Sequence, residues 1–141
     1  MLNVMKFGGT SVGDLERIAN VANRVEKAVK KGDNIIVVVS AMSGETNKLV
    51  AYAEHFSKNP SLPEMDMLLS SGERVTASLL CIALNEMGIS STAMTGRQAG
   101  ILTNQKHTAA KIEEIDPLPI QNELKNGKVV VVAGFQGINA Q

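Results

Sequence analysis

Three short apolar runs divide the chain: residues 4–7, residues 35–39 and Val129–Ala133. Each is strand-sized, rich in β-branched residues and without polar alternation, the pattern of a parallel strand buried on both faces. Ser91–Met94 is a fourth, less apolar candidate. Between the runs the period lengthens to that of a helix. Leu15, Ile18, Ala19, Ala22, Val25 and Val29 fall on one face, with Glu16, Arg17, Asn23, Lys27 and Lys30 opposite. Asp14 is placed to cap this helix and Gly32 to end it. A second, weaker helical pattern covers residues 45–57, and Pro60 and Pro63 punctuate the loop that follows. A third runs over residues 64–87 with Met65, Leu68, Leu69, Leu79, Leu80 and Ala83 on one side, and Gly88 as its stop. A short helix is predicted over residues 117–126.

Strand, helix, strand, helix, strand predicts an α/β fold with a mainly parallel sheet. Ligands of such sheets bind at the carboxyl ends of the strands. Those ends are residues 6–11, 40–46, 95–100 and 134–137, and all four are rich in Gly, Ser or Thr. The run Val129–Ala133 reads as a central strand, after which a crossover helix is expected to cover one face of the sheet. None follows, so the chain is expected to be a fragment or to have its exposed face covered by another chain, and to form dimers or larger assemblies.

Composition narrows the function. The 141 residues fit one domain, and 44% hydrophobic content is enough for a core. Fourteen basic residues balance fourteen acidic ones and aromatics make up 3%, which argues against nucleic-acid binding by charge or stacking. Any anionic ligand must be held by a local site. The single cysteine, Cys81, excludes an internal disulfide framework and a multi-cysteine zinc site. No signal peptide or membrane span is visible, and a reducing cytoplasm is the expected compartment.

The most informative local motif is Lys6-Phe7-Gly8-Gly9-Thr10-Ser11-Val12-Gly13. A strand, a glycine turn and a helix start form a phosphate cradle from backbone N–H groups and the helix dipole, to which Lys6 adds a full charge. Gly8 and Gly13 have P-loop spacing, but Asp14 and Leu15 stand where that motif needs Lys and Ser/Thr, which excludes a P-loop. Ser40-Ala41-Met42-Ser43-Gly44-Glu45-Thr46 reads either as a loop capping the next helix through Ser43 or Thr46, or as a substrate loop offering the hydroxyls of Ser40 and Thr46. Ser70-Ser71-Gly72-Glu73-Arg74 places a glycine inside a helix, at a cost of about 1 kcal/mol against alanine, which suggests a close backbone approach or a kink. Glu73 and Arg74 are either solvated or, if they face the site, able to hold an ammonium group and an acid. Arg97, in Thr95-Gly96-Arg97-Gln98-Ala99-Gly100, is a weaker anion contact. Cys81 reads as a buried small hydrophobe, His55 and His107 as surface histidines and the seven methionines as core filler.

Taken together these blocks resemble the aspartokinases. The resemblance runs through Lys6-Phe7-Gly8-Gly9-Thr10-Ser11-Val12, Val38-Val39-Ser40-Ala41-Met42, Asp66-Met67-Leu68-Leu69-Ser70-Ser71-Gly72-Glu73-Arg74, Thr95-Gly96-Arg97-Gln98-Ala99-Gly100 and Val131-Val132-Ala133-Gly134-Phe135-Gln136-Gly137, in the family's order. It implies a three-layer αβα sandwich of the amino acid kinase type, truncated here. The implied activity is transfer of a phosphoryl group from MgATP to the β-carboxylate of L-aspartate, giving 4-phospho-L-aspartate, the first step towards lysine, threonine and methionine. On the same ground Lys6 is the catalytic contact to the transferred phosphate. Phe7, Gly8, Gly9, Ser11 and Ser40 belong to the phosphate end. Thr46 and Glu73 bind aspartate, with Glu73 facing the ammonium group. Mg2+ is expected to be held mainly by the nucleotide, with no protein metal ligands in this chain. The expected partners are L-aspartate, ATP and further copies of the chain, with no nucleic acid and no membrane.

Two departures qualify the match. The family commonly has Gly-Lys/Asp-Thr-Thr in the loop after Ser40, where this chain has Ser43-Gly44-Glu45-Thr46, so only Thr46 carries over. The family's Gly-Arg-Gly-Gly-Ser-Asp block, nucleotide-binding half and ACT domains do not follow Gly137 here. The 141 residues are expected to form the amino-terminal part of the kinase domain and to be inactive alone. Another amino acid kinase, such as glutamate 5-kinase, is the rival enzyme, and a non-catalytic binding or self-association module is the rival outside enzymes.

Overall fold

A computed structural model describes residues 1–103 and 112–134. The elements in chain order are β1 (Leu2–Phe7), α1 (Leu15–Lys30), β2 (Asn34–Val39), α2 (Glu45–Phe56), α3 (Leu62–Glu86), β3 (Ser91–Met94), β4 (Ile101–Thr103), β5 (Ile112–Ile115), α4 (Leu118–Lys125) and β6 (Val129–Ala133). Strands β1, β2, β6 and β3 form one sheet in that order, every pair parallel. The two most apolar strands, β2 and β6, are therefore central, as their uninterrupted hydrophobic runs require.

One face of the sheet packs against α1 and α3. Ile18, Val21, Ala22, Val25 and Ala28 of α1 meet Phe7, Val37, Val39 and Val131 of the sheet and Ala77, Leu80 and Leu84 of α3 in a single buried cluster. On the other face Ile120 and Leu124 of α4 cover Val130 and Val132, with Ala99 and Met94 beside them. The result is a layered αβα arrangement around β6. It thins towards β1, where Leu2 and Val4 are 55% and 59% exposed, so that edge of the second face has no helix over it among the described residues. α3 is long and apolar enough to cross a membrane by length and composition, and its inner side, which carries Glu73 and Thr76, packs into this core through Ala77, Leu80 and Leu84.

Element ends follow local chemistry. Asp14 caps α1, its carboxylate accepting the Arg17 N–H at 2.8 Å. Gly32 and Gly88 follow α1 and α3 in the left-handed region, at φ +89° and +84°. Replacing Asp14 with alanine removes one cap and is expected to cost about 1 kcal/mol, read as a lower urea midpoint with unchanged slope.

Three expectations differ from the structure, and one pair of strands has no counterpart among them. The buried stripe of α1 runs through Val21 and Ala28, whereas Leu15, in the first turn and beyond the sheet's reach, is 68% exposed. Neither Ser43 nor Thr46 caps α2, because the N-cap is Gly44 in the left-handed conformation at φ +81°, with no side-chain bond. The methionines are not deep filler: Met5, Met42 and Met87 flank the core, and Met1 and Met67 are exposed. The antiparallel pair of β4 and β5 was not anticipated. Cys81 is buried and His55 exposed, as expected, while His107 lies outside the described residues.

Candidate active site

Because the four-stranded sheet is wholly parallel, the carboxyl ends of β1, β2, β6 and β3 share one edge. Backbone hydrogen bonds lace three of these ends together. The Ser40 N–H donates to the Phe7 carbonyl at 3.3 Å, and the Gly134 N–H donates to the Val39 carbonyl at 2.7 Å. Gly134 is needed there, since a Cβ on it would stand 2.9 Å from that same oxygen. Phe135, Gln136 and Gly137 lie outside the described residues.

After β1 the chain makes a tight turn in which the Ser11 and Val12 N–H groups both donate to the Gly8 carbonyl, at 3.0 and 3.3 Å. These two donors are thus used internally. The amides of Gly9 and Thr10 have no protein acceptor among the described residues. Asp14 caps α1 through one bond, accepting the Arg17 N–H, so its carboxylate shares the positive end of the helix with any anion held there. The glycine turn itself thus offers the Gly9 and Thr10 amides as backbone donors. Arg17 steadies the turn, its Nη1 donating to the Thr10 carbonyl at 2.9 Å. Sequence reasoning left Arg17 on the solvent face, and its seven-residue distance from Thr10 gives no pattern that would flag the contact. Phe7 is buried, with the Arg24 guanidinium 5.2 Å from its ring centroid, so it shapes the site through its backbone.

The loop after β2 is held between two glycine-surfaced segments. A Cβ on Gly9 would lie 3.6 Å from the Ala41 carbonyl oxygen and 4.0 Å from the Ser40 hydroxyl. One on Gly13 would lie 3.5 Å from Ser43 Cβ, and one on Gly72, in α3, would lie 3.0 Å from Ala41 Cβ. The glycine turn, the residue 40–46 loop and the middle of α3 therefore converge. Ser40 is 5% exposed and Thr46 is half-buried in the first turn of α2. Glu73 is 3% exposed, whereas its neighbour Arg74 is exposed. The spacing Leu69, Gly72, Glu73, Thr76, Ala77, Leu80 follows the helix period and was the signal that puts Glu73 on the inner side.

Lys6 lies at the end of β1 in register with Val38, exposed, and on the sheet face opposite Phe7 and the α1–α3 layer. It stands outside the glycine contacts that join the other three segments. After β3, Thr95 and Gln98 bond each other reciprocally: the Thr95 N–H donates to Gln98 Oε1 at 2.9 Å, and the Gln98 N–H to Thr95 Oγ1 at 3.2 Å. That turn is self-contained and leaves Arg97 exposed. Burial pushes the Cys81 thiol up, opposed by its hydrogen bond with Ser91, which keeps it protonated and poor as a nucleophile. Among the described residues no group of three or more His, Cys, Asp or Glu could hold a metal ion.

The glycine turn, the residue 40–46 loop and the buried Glu73 gather at the carboxyl edge of a parallel sheet. The amino acid kinase family model matches residues 1–141. The chain belongs to the amino acid kinase family. Within that family it is 52% identical to an aspartate kinase of Stutzerimonas stutzeri over 98% of this chain and 34% of the relative. Amino acid kinases also supply the structural neighbours. The crystal structure of aspartate kinase from Synechocystis superposes with a TM-score of 0.76 at 44% identity, covering 98% of this chain and 22% of that one. E. coli aspartokinase III, in complex with aspartate and ADP in its R-state, superposes with a TM-score of 0.79 at 22% identity, covering 94% of this chain and 40% of that one. The last likeness shows the fold alone. The chain thus spans about a third of the length of the curated relatives it matches.

Proposed function

We propose that this chain supplies the substrate and phosphate-facing part of an aspartate kinase, which transfers the γ-phosphoryl group of ATP to the side-chain carboxylate of L-aspartate. The observation that carries the reading is the convergence of the Gly8–Gly13 turn, the Ser40–Thr46 loop and the buried Glu73 at one sheet edge, in a chain about half identical to aspartate kinases over nearly its whole length.

In this reading the substrate carboxylate is itself the nucleophile, so no covalent enzyme intermediate is needed. Glu73 faces the aspartate ammonium group, where a buried carboxylate in low dielectric is worth more than an exposed one. Thr46 offers a hydroxyl to the same substrate. Gly8, Gly9 and Ser11 form the turn that receives the transferred phosphate, through the Gly9 and Thr10 amides, with Ser40 beneath it. Phe7 anchors the turn, and Lys6 neutralises charge on the transferring group, the dominant catalytic need in phosphoryl transfer. Mg2+ is carried by the nucleotide phosphates, and the described residues hold no group of three or more His, Cys, Asp or Glu that could bind it. The setting is cytoplasmic amino-acid biosynthesis, towards lysine.

The 141 residues alone are expected to show little or no aspartate-dependent ADP release, to bind aspartate weakly in a calorimeter, and to self-associate through the apolar face left open at Leu2 and Val4. Robust turnover by the isolated chain in a coupled assay contradicts this division of labour, and a compact monomer in light scattering contradicts the association. A chimaera in which residues 1–141 replace the matching segment of the Stutzerimonas stutzeri aspartate kinase tests the activity itself.

A further inference from the structure

A glycine in the middle of a helix weakens it relative to alanine, so Gly72 needs a physical reason. The reason lies in what α3 crosses there. A Cβ on Gly72 would meet Ala41 Cβ at 3.0 Å, Leu49 Cδ1 at 3.6 Å and Glu45 Cβ at 4.0 Å. The first distance is shorter than the optimal separation of carbon atoms, about 3.5–4.0 Å, so an added methyl must push the segments apart. The crossing is kept bare in other ways. The Ser71 hydroxyl folds back onto the Leu68 carbonyl at 2.5 Å, and the Thr76 hydroxyl donates to the Gly72 carbonyl at 3.3 Å. On its far side the same loop touches the glycine turn, with Ala41 O 3.6 Å from the Cβ position of Gly9.

We propose that Gly72 is a positioning residue: its missing side chain lets α3 seat the Ser40–Gly44 loop, and so fixes the spacing between Glu73 on one side of the loop and the Ser40 hydroxyl and glycine turn on the other. Its kinetic consequence rests on the proposed aspartate kinase reading; its structural consequence does not. Ala41 is the residue that Gly72 accommodates, and Ala41→Gly removes the very atom that a Gly72 methyl would strike. The two positions form a thermodynamic pair with a predicted non-additive cycle.

The test has two arms, each run on Gly72→Ala, Ala41→Gly and the double variant. In the 141-residue chain, amide hydrogen exchange is read at residues 40–46 and in β2 and β6. Gly72→Ala is expected to speed exchange of the loop amides by about tenfold while leaving the strands unchanged, and the double variant to return the loop to within about twofold of the parent. The faster exchange cannot come from a weaker helix, because alanine strengthens one. In the chimaera, Gly72→Ala is expected to raise the KM for aspartate by about tenfold with the KM for ATP unmoved, again reversed by Ala41→Gly.

Unchanged loop exchange in Gly72→Ala overturns the proposal. So does a uniform loss of protection that Ala41→Gly does not repair, or a repaired loop with no change in the aspartate KM. If Gly72→Ala does not fold, a folded double variant supports the proposal and an unfolded one overturns it. A chimaera that fails to phosphorylate aspartate counts against the functional reading only, and the exchange arm still decides the role of Gly72.

Discussion

Lys6→Met in the chimaera is expected to lower kcat for aspartate phosphorylation by on the order of a hundred- to a thousandfold, with the KM for aspartate little changed. Methionine keeps the unbranched stem at the end of β1, beside Val38, so the sheet edge stays intact. In the proposed reading, what disappears is the positive charge that faces the phosphoryl group as it passes from ATP to the carboxylate. That charge matters more in the transition state than in either ground state, so its removal reduces turnover more than substrate affinity. The exposed position of Lys6 makes this separable from folding. Steady-state kinetics of the variant, with thermal unfolding as control, decides the matter. A loss of less than about tenfold in kcat removes Lys6 from the catalytic role.

The largest expected effect on stability is at Gly100. Its backbone has φ +89°, and a Cβ there would lie 2.1 Å from the Asp116 carbonyl oxygen and 3.1 Å from its carbonyl carbon. The Asp116 N–H also donates to the Gly100 carbonyl at 2.8 Å, closing the pair of β4 and β5 next to the turn that follows β3. Gly100→Ala therefore combines a left-handed residue with a backbone collision and is expected to cost about 3 kcal/mol or more. Gly127→Ala is the control: φ is +76° there, but nothing lies within 4 Å of the added Cβ. It is expected to cost about 1 kcal/mol, the conformational part alone. Urea unfolding of both variants measures the difference, which is assigned to the Asp116 contact.

The parallel sheet was legible because β2 and β6 are apolar without interruption, a pattern that only burial on both faces rewards. The three loops of the site were legible from the same logic, since a parallel sheet sends its carboxyl ends to one edge. The pair of β4 and β5 was not, because Ile101–Thr103 has only three residues and Ile112–Ile115 is apolar only at its ends. Such strands are defined by each other, and neither carries a period of its own. The inner side of α3 was half legible. Leu69 and Leu80 set a stripe that includes Glu73, but a charged residue is assigned to solvent unless that spacing overrides it. Least legible was the glycine-turn end of the candidate site. Asp14 caps α1 by accepting the Arg17 N–H, while the contact of Arg17 with the Thr10 carbonyl follows no local pattern. Contacts such as Gly72 against Ala41 depend on how α3 crosses the loop, which no local pattern specifies.

The central claim is that this chain carries aspartate recognition and the phosphate turn of an aspartate kinase. The most direct measurement is ADP release by the purified chimaera with L-aspartate or L-glutamate as acceptor, beside the 141-residue chain alone. The account predicts turnover with aspartate, little with glutamate, and little or none from the isolated chain. Turnover with glutamate in preference to aspartate would contradict it.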